Sequence, residues 1–118
     1  MAENPSQPKL ERPVPVVVHL SGKLRGTTER LSGDRLRIGT AAEAEVHFPA
    51  DREPAVAESH AHLTRSGETY ALHAEPGQRV WVNGERADTV ELRSGDVLEI
   101  GPSGPTLRFR LYEPGGDA

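Results

Sequence analysis

The sequence predicts an all-β domain built as an antiparallel sandwich or barrel, and three observations carry that prediction. About ten short apolar runs, most of them β-branched or alternating with polar residues, succeed one another along the chain. Clusters of Gly, Asn, Asp, Ser and Pro separate them roughly every 8–12 residues, the turn spacing of a β-sandwich. No stretch repeats its apolar residues at helical intervals, and no internal repeat is visible.

Residues 1–13 (MAENPSQPKLERP) are polar and punctuated by proline, too poor in apolar surface to offset the entropy of ordering, and read as a flexible tail. Val14 to Leu20 (VPVVVHL) is the first strand, with Pro15 near its start or at a sheet edge. Gly26 to Leu31 (GTTERL), with adjacent threonines, is the second, bounded by Ser21-Gly22-Lys23 and Ser32-Gly33-Asp34. In Arg35 to Gly39 (RLRIG) arginine alternates with Leu36 and Ile38, giving one buried and one basic face. A less regular, acidic stretch from Thr40 to Glu58 follows, interrupted by a short strand at Glu45 to Phe48. Asp51, Glu53 and Glu58 supply its charge, while Pro49 and Pro54 keep it out of a ladder. Loops of this length in a small domain are functional or disordered. Ser59 to Thr64 (SHAHLT) sets Ala61 and Leu63 on one face and His60 and His62 on the other. Thr69 to Ala74 (TYALHA) returns antiparallel after a turn at Ser66-Gly67-Glu68.

The rest should pack on residues 79–101 (RVWVNGERADTVELRSGDVLEIG). Val80 and Val82 alternate with Arg79 and Trp81, and Asn83-Gly84 then demands a tight turn, because both residues tolerate φ > 0. Val90 and Leu92 continue on the far side, Ser94-Gly95-Asp96 makes a corner, and Leu98 and Ile100 form another short strand. Thr106 to Tyr112 (TLRFRLY) is the cleanest strand, Leu107, Phe109 and Leu111 alternating with Arg108 and Arg110. Residues 113–118 are a C-terminal tail or the start of a linker, leaving a domain over residues 14–112.

Composition narrows the function. The 118 residues suit one domain, and with one Trp, two Tyr and two Phe the core must rest on Val, Leu and Ile. Fourteen Lys and Arg stand against 18 Asp and Glu, a net charge of −4 that argues against a nucleic-acid surface. Cysteine is absent, which excludes disulfides and thiolate zinc sites. No apolar run approaches the roughly 18 residues of a membrane span. No signal-peptide core follows Met1 either, so a cytoplasmic location without membrane insertion is expected.

Side chains with chemical potential have simpler structural explanations. His60 and His62 share a strand face, yet no third metal ligand is evident, and His19, His47 and His73 read as ordinary strand residues. The carboxylates of residues 43–58 stand beside no nucleophile and read as a solvated acidic face. Asp96 reads as a turn cap. Gly101 and Gly104, flanked by Pro102 and Pro105, lack the following helix and Lys-Ser/Thr pair of a phosphate cradle. Arg35, Arg37, Arg108 and Arg110 solvate outward strand faces. Trp81, pointing away from Val80 and Val82, is either a cover for its sheet face or a partner-binding hot spot. No cofactor is called for, and no nucleophile–base pair supports an enzyme.

Four landmarks, in order, make the chain resemble the forkhead-associated (FHA) family over roughly Val14 to Tyr112: Arg37-Ile38-Gly39, His60-Ala61, Val82-Asn83-Gly84, and Leu92 through Gly95-Asp96 to Ile100-Gly101. The resemblance implies an all-β, FHA-like β-sandwich of two antiparallel sheets with about 11 short strands. It also implies binding of phosphothreonine peptides through loops at one end. Gly39, His60, Asn83, Gly84, Gly95 and Asp96 are then structural landmarks, His60 orienting a loop by hydrogen bonds.

In the family an Arg follows the first Gly, a Ser and an Arg stand three and two residues before the landmark His, and an Asn-Gly-Thr run precedes Val-Asn-Gly. Here Thr40, Ala57 and Glu58 occupy the first three of those positions, and Gln78-Arg79-Val80 replaces the run. A phosphate dianion wants a guanidinium fork and hydroxyl or amide donors on short loops. Losing the Arg contact costs about 1.5–3 kcal/mol, and a nearby Glu adds repulsion of about 1–4 kcal/mol, together more than about a hundredfold in affinity. Taking His62 as the landmark would put Ser59 in the Ser position but move Arg65 into the apolar slot of Leu63, so His60 is preferred.

The expectation is a non-catalytic protein-protein interaction module with weak or lost phosphothreonine recognition. By resemblance its setting is bacterial signalling or secretion-related assembly. Its partner is a protein or peptide, phosphorylated or not, met through loops containing Thr40, Ala57, Glu58, Ser59, Gln78, Arg79 and Trp81. Two alternatives stand beside it: a phosphothreonine reader using Thr40, Ser59, Gln78 and Arg79, and a small enzyme or metal-binding β protein.

Overall fold

The computed structural model describes residues 13–22 and 24–112; the two expected tails, except for Pro13, lie outside the described residues. Eleven strands run in chain order: β1 (Val14–His19), β2 (Thr28–Arg30), β3 (Arg35–Gly39), β4 (Val46–His47), β5 (Ala61–Ser66), β6 (Thr69–Ala74), β7 (Val80–Val82), β8 (Glu85–Ala87), β9 (Thr89–Glu91), β10 (Val97–Ile100) and β11 (Thr106–Tyr112). They form a six-stranded sheet ordered β2-β1-β11-β10-β7-β8 and a five-stranded sheet ordered β4-β3-β5-β6-β9. The two sheets form a β-sandwich of 11 strands, as the resemblance implies. Its pairings are antiparallel except β3 with β4, where Ile38 pairs with Val46 in parallel.

Strand alternation builds the core. Val17, Val80, Val82, Leu98, Ile100, Leu107 and Phe109 of the first sheet meet Leu36, Ile38, Ala61, Leu63, Tyr70 and Leu72 of the second. Each Val, Leu, Ile and Phe of this layer contributes roughly 1.5–3 kcal/mol by leaving water. Loops close the ends of this layer with Leu31, Phe48, Val56 and Leu92, which are also buried. Tyr70 is fully buried, its ring edge-on to Phe109 and its hydroxyl donating to Gly33 O at 2.6 Å.

The residues around the turn at Asn83-Gly84 behave as expected, with φ of 52° and 85°. Asn83 Nδ2 donates to Asp96 Oδ1 at 2.9 Å, and Asn83 Oδ1 accepts from Val97 N–H at 2.9 Å. Asp96 Oδ2 in turn accepts from Arg93 N–H at 2.8 Å, so one Asn–Asp pair joins the hairpin to the next corner.

Local differences have physical causes. The second strand covers only Thr28–Arg30, because His19 N–H bonds Thr27 O and Gly26 N–H bonds His19 O in a turn around Gly26. The fifth begins at Ala61, so His60 belongs to the preceding loop and does not share the outward face of His62. His60 is buried, whereas His62 stacks on His73 at 4.9 Å between ring centres. His19 is a strand residue but a core one, fully buried with its ring edge-on to Phe48. Pro13, the last residue of the expected tail, is buried.

Candidate functional site

Antiparallel pairing brings five connections to one end of the sandwich: residues 20–27, 40–45, 48–60, 75–79 and 101–105. Their backbones are sewn together. Thr40 N–H donates to Ala57 O at 3.1 Å and Ala41 N–H to Glu58 O at 3.2 Å. That approach is possible because residue 39 has no side chain: a Cβ there would collide with the carbonyls of Ala57 and Glu58. Gly101 has the same role against Ala55 and also lies at φ 87°.

His60 is the centre of this frame. It is 1% exposed, and its ring nitrogens point at two different loops. Nδ1 accepts from Ala57 N–H at 3.0 Å, and Nε2 lies 2.8 Å from Arg79 O. The first bond fixes the neutral tautomer, so Nε2–H donates to Arg79 O. The same carbonyl accepts from Gly101 N–H at 2.9 Å. The imidazole thus joins the 48–60 and 75–79 connections across both sheets, and the shared Arg79 carbonyl links them to the 101–105 connection.

The expected binding residues fall around this frame. Thr40 is half-buried, Ala57 half-buried, and Glu58, Ser59 and Arg79 exposed; Gln78 is half-buried with its N–H on Glu75 O at 2.9 Å. The N–H groups of Thr40 and Ala57 are consumed internally. Among the described residues the Ser59 hydroxyl and Arg79 guanidinium make no hydrogen bond or ion pair, so both are available to a ligand. Trp81 is set apart from this group: it lies within β7, on the outer face of the six-stranded sheet, opposite Arg86 and Glu99. Asn83, Gly84, Gly95 and Asp96 lie at the other end of the sandwich.

Two further residues hold the loops and were not anticipated. Arg37 Nη2 donates to Glu43 O at 2.8 Å, and the Arg37 N–H donates to Glu45 Oε1 at 2.8 Å, bracing the 40–45 connection. Partial burial pushes the Glu45 carboxyl up, but the Arg37 N–H and guanidinium outweigh it and hold the group below the usual carboxylate range. Alternation of arginine in RLRIG could have suggested a carboxylate partner; the turn that brings Glu45 back could not be read from it. His62 Nδ1 lies 2.8 Å from Glu75 Oε2. Its position on the outer sheet face leaves His60 as the loop-orienting imidazole.

A two-sheet frame with a buried His joining two loops, a Gly at the close crossing and an Asn-Gly corner at the far end defines a forkhead-associated domain, a class of interaction module. Within that class, the chain belongs to the family described as inner membrane component of T3SS, cytoplasmic domain, whose model matches residues 19–115. Similar solved structures include the FHA domain of an Arabidopsis thaliana hypothetical protein, with a TM-score of 0.76 at 16% identity over 86% of this chain and 88% of that one. An FHA domain from Mycobacterium tuberculosis gives 0.70 at 19% identity, covering 86% and 99%. M. tuberculosis EmbR, solved with a low-affinity phosphopeptide, gives 0.70 at 20% identity, covering 85% of this chain and 25% of EmbR. No curated protein sequence matches the chain significantly. Among the described residues no helix is long and apolar enough to cross a membrane.

Proposed function

We propose that residues 14–112 form a non-catalytic FHA-type protein-protein interaction domain whose recognition of phosphothreonine is weak or lost. Its setting is the cytoplasmic side of a bacterial signalling or secretion-related assembly. One observation carries this reading: the loop frame around Gly39, His60 and Gly101 is intact, while the positions to which the family resemblance assigns the phosphate contacts hold Thr40, Ala57 and Glu58. Around this frame a phosphate would find the unpaired Arg79 guanidinium, hydroxyls, the Gln78 amide and the Glu58 carboxylate. An Arg offset by a Glu gives little net attraction for a dianion. The family description supports the cytoplasmic, secretion-related setting.

The competing reading, phosphothreonine binding through Thr40, Ser59, Gln78 and Arg79, rests on the free Arg79 side chain and on the phosphopeptide bound by EmbR. An amide-resolved NMR titration with a degenerate phosphothreonine peptide pool, beside its unphosphorylated twin, separates the two. The expected result is no phosphate-dependent shift at Thr40, Ser59, Gln78 or Arg79 in a folded spectrum. Saturable shifts confined to those amides would establish the competing reading.

A further inference from the structure

The outer face of the six-stranded sheet carries charge opposite in sign to that of the whole chain. Because Val17, Leu107 and Phe109 point into the core, the alternate residues of β1 and β11 point out. The register sets them in rows: Arg30, Val16 and Arg110 in one, and Thr28, Val18, Arg108 and Val97 in the next. Trp81 lies between Glu99 and Arg86 at the other side of the sheet. On the strands of this face four arginines oppose one carboxylate, Glu99, in a chain of net charge −4. Among the described residues none of Arg30, Arg86, Arg108 and Arg110 has an ion-pair partner.

These arginines sit on apolar ground. Val16 is only 5% exposed although it lies on the outer face, flanked in register by Arg30 and Arg110, as expected where arginine stems cover a sheet. The Nε atoms of Arg108 and Arg110 are screened from solvent and unpartnered. A cation partly withdrawn from water attracts a counter-ion more strongly than a fully solvated one. Arg110 also stands 5.8 Å over the ring of Tyr112, the one large exposed hydrophobic residue among those described, at 49%.

We infer that this face docks an extended, acidic protein segment, distinct from any ligand of the loop end. The rows commit the occupant. Arg108 and Arg110 are two residues apart on one strand, about 6.6–7 Å, which is also the spacing of alternate side chains in an extended partner. Carboxylates at every second residue of such a segment face the sheet and reach both guanidiniums, while the residues between point away from it. β1 and β11 are interior strands with their ladders filled, so the contact is made by side chains across the face. The surface stands whether or not the loop end reads phosphothreonine.

The test is an amide-resolved titration of the full chain with a synthetic peptide alternating Glu and Thr, beside its Gln-Thr counterpart. Vesicles of phosphatidylcholine with about one-third phosphatidylglycerol serve as a lipid arm. The expected result is saturable shifts at Val16, Val18, Arg108 and Arg110 with the Glu peptide alone, at a Kd of about 0.1 mM or tighter. Binding weakens at least about tenfold from about 20 to about 300 mM NaCl. The R108Q/R110Q variant, judged on a folded spectrum, binds at least about tenfold more weakly. Should that variant unfold, the salt series on the unaltered protein decides. Absence of shifts, equal binding of the Gln-Thr peptide, shifts confined to Thr40, Ser59 and Arg79, or binding to vesicles alone would each overturn the inference.

Discussion

His60 offers the sharpest test of how the loop end is held. His60→Phe keeps a buried ring of similar size but removes both side-chain hydrogen bonds, at 3.0 and 2.8 Å. Arg79 O keeps its second donor, Gly101 N–H, so the orphaned group is the Ala57 N–H. Leaving that amide unpaired costs about 1–3 kcal/mol. His60→Ala adds the loss of the ring from a site that is 1% exposed, for a total of about 3–5 kcal/mol. Urea unfolding followed by fluorescence gives both values. With a slope of about 2 kcal/mol per molar, the Ala variant loses about 2 M in midpoint at unchanged slope. Amide exchange at Thr40, Ala41 and Gly101 should quicken in both variants, because these amides bond across the loops that His60 joins. A Phe variant within about 0.5 kcal/mol of the unaltered protein, with unchanged exchange, would refute this account of the frame.

Gly39→Ala drives a Cβ into the backbone of Glu58 and should cost about 2–4 kcal/mol, read as a drop in Tm. Glu45→Gln probes pH dependence. The folded Glu45 carboxyl titrates below its unfolded value, so its contribution is full above about pH 4.3 and fades as the pH falls through the folded value. The variant should therefore lower Tm at neutral pH, converge with the unaltered protein as the pH falls through the folded value, and so flatten the acid limb of stability. Asn83→Ala loses two side-chain hydrogen bonds and places a residue poorly suited to φ 52° at the hairpin. A loss of about 1.5–3 kcal/mol is expected by urea unfolding.

Strands were most legible where one face is buried and the other wet: Thr106–Tyr112, Thr69–Ala74 and Arg35–Gly39 are read from alternation alone, with their observed bounds. Asn83-Gly84 was equally readable, because positive φ at two successive residues leaves few choices. The stretch after that turn was not resolved into β8 and β9, since residues 85–91 are mostly exposed edge residues with no apolar period. The parallel β3–β4 pair depends on how the 40–45 connection folds back, which Arg37 and Glu45 set by tertiary contact. His60 and His62 looked equivalent in a run of alternating residues. Only the start of β5 at Ala61 separates them into a buried loop joint and a stacked surface pair. The basic outer face was visible as Arg108 and Arg110, but Arg30 and Val16 join it only through strand register.

The central claim is that the phosphothreonine frame is present and its phosphate contacts are not. Grafting tests it most directly: T40R, A57S and E58R are introduced together, and affinity for one phosphothreonine peptide is measured by calorimetry for both proteins. Restored charge-assisted contacts and a removed Glu predict tightening of at least about a hundredfold in the graft, with binding lost when the phosphate is removed. Equal affinity of the unaltered protein and the folded graft would contradict the claim.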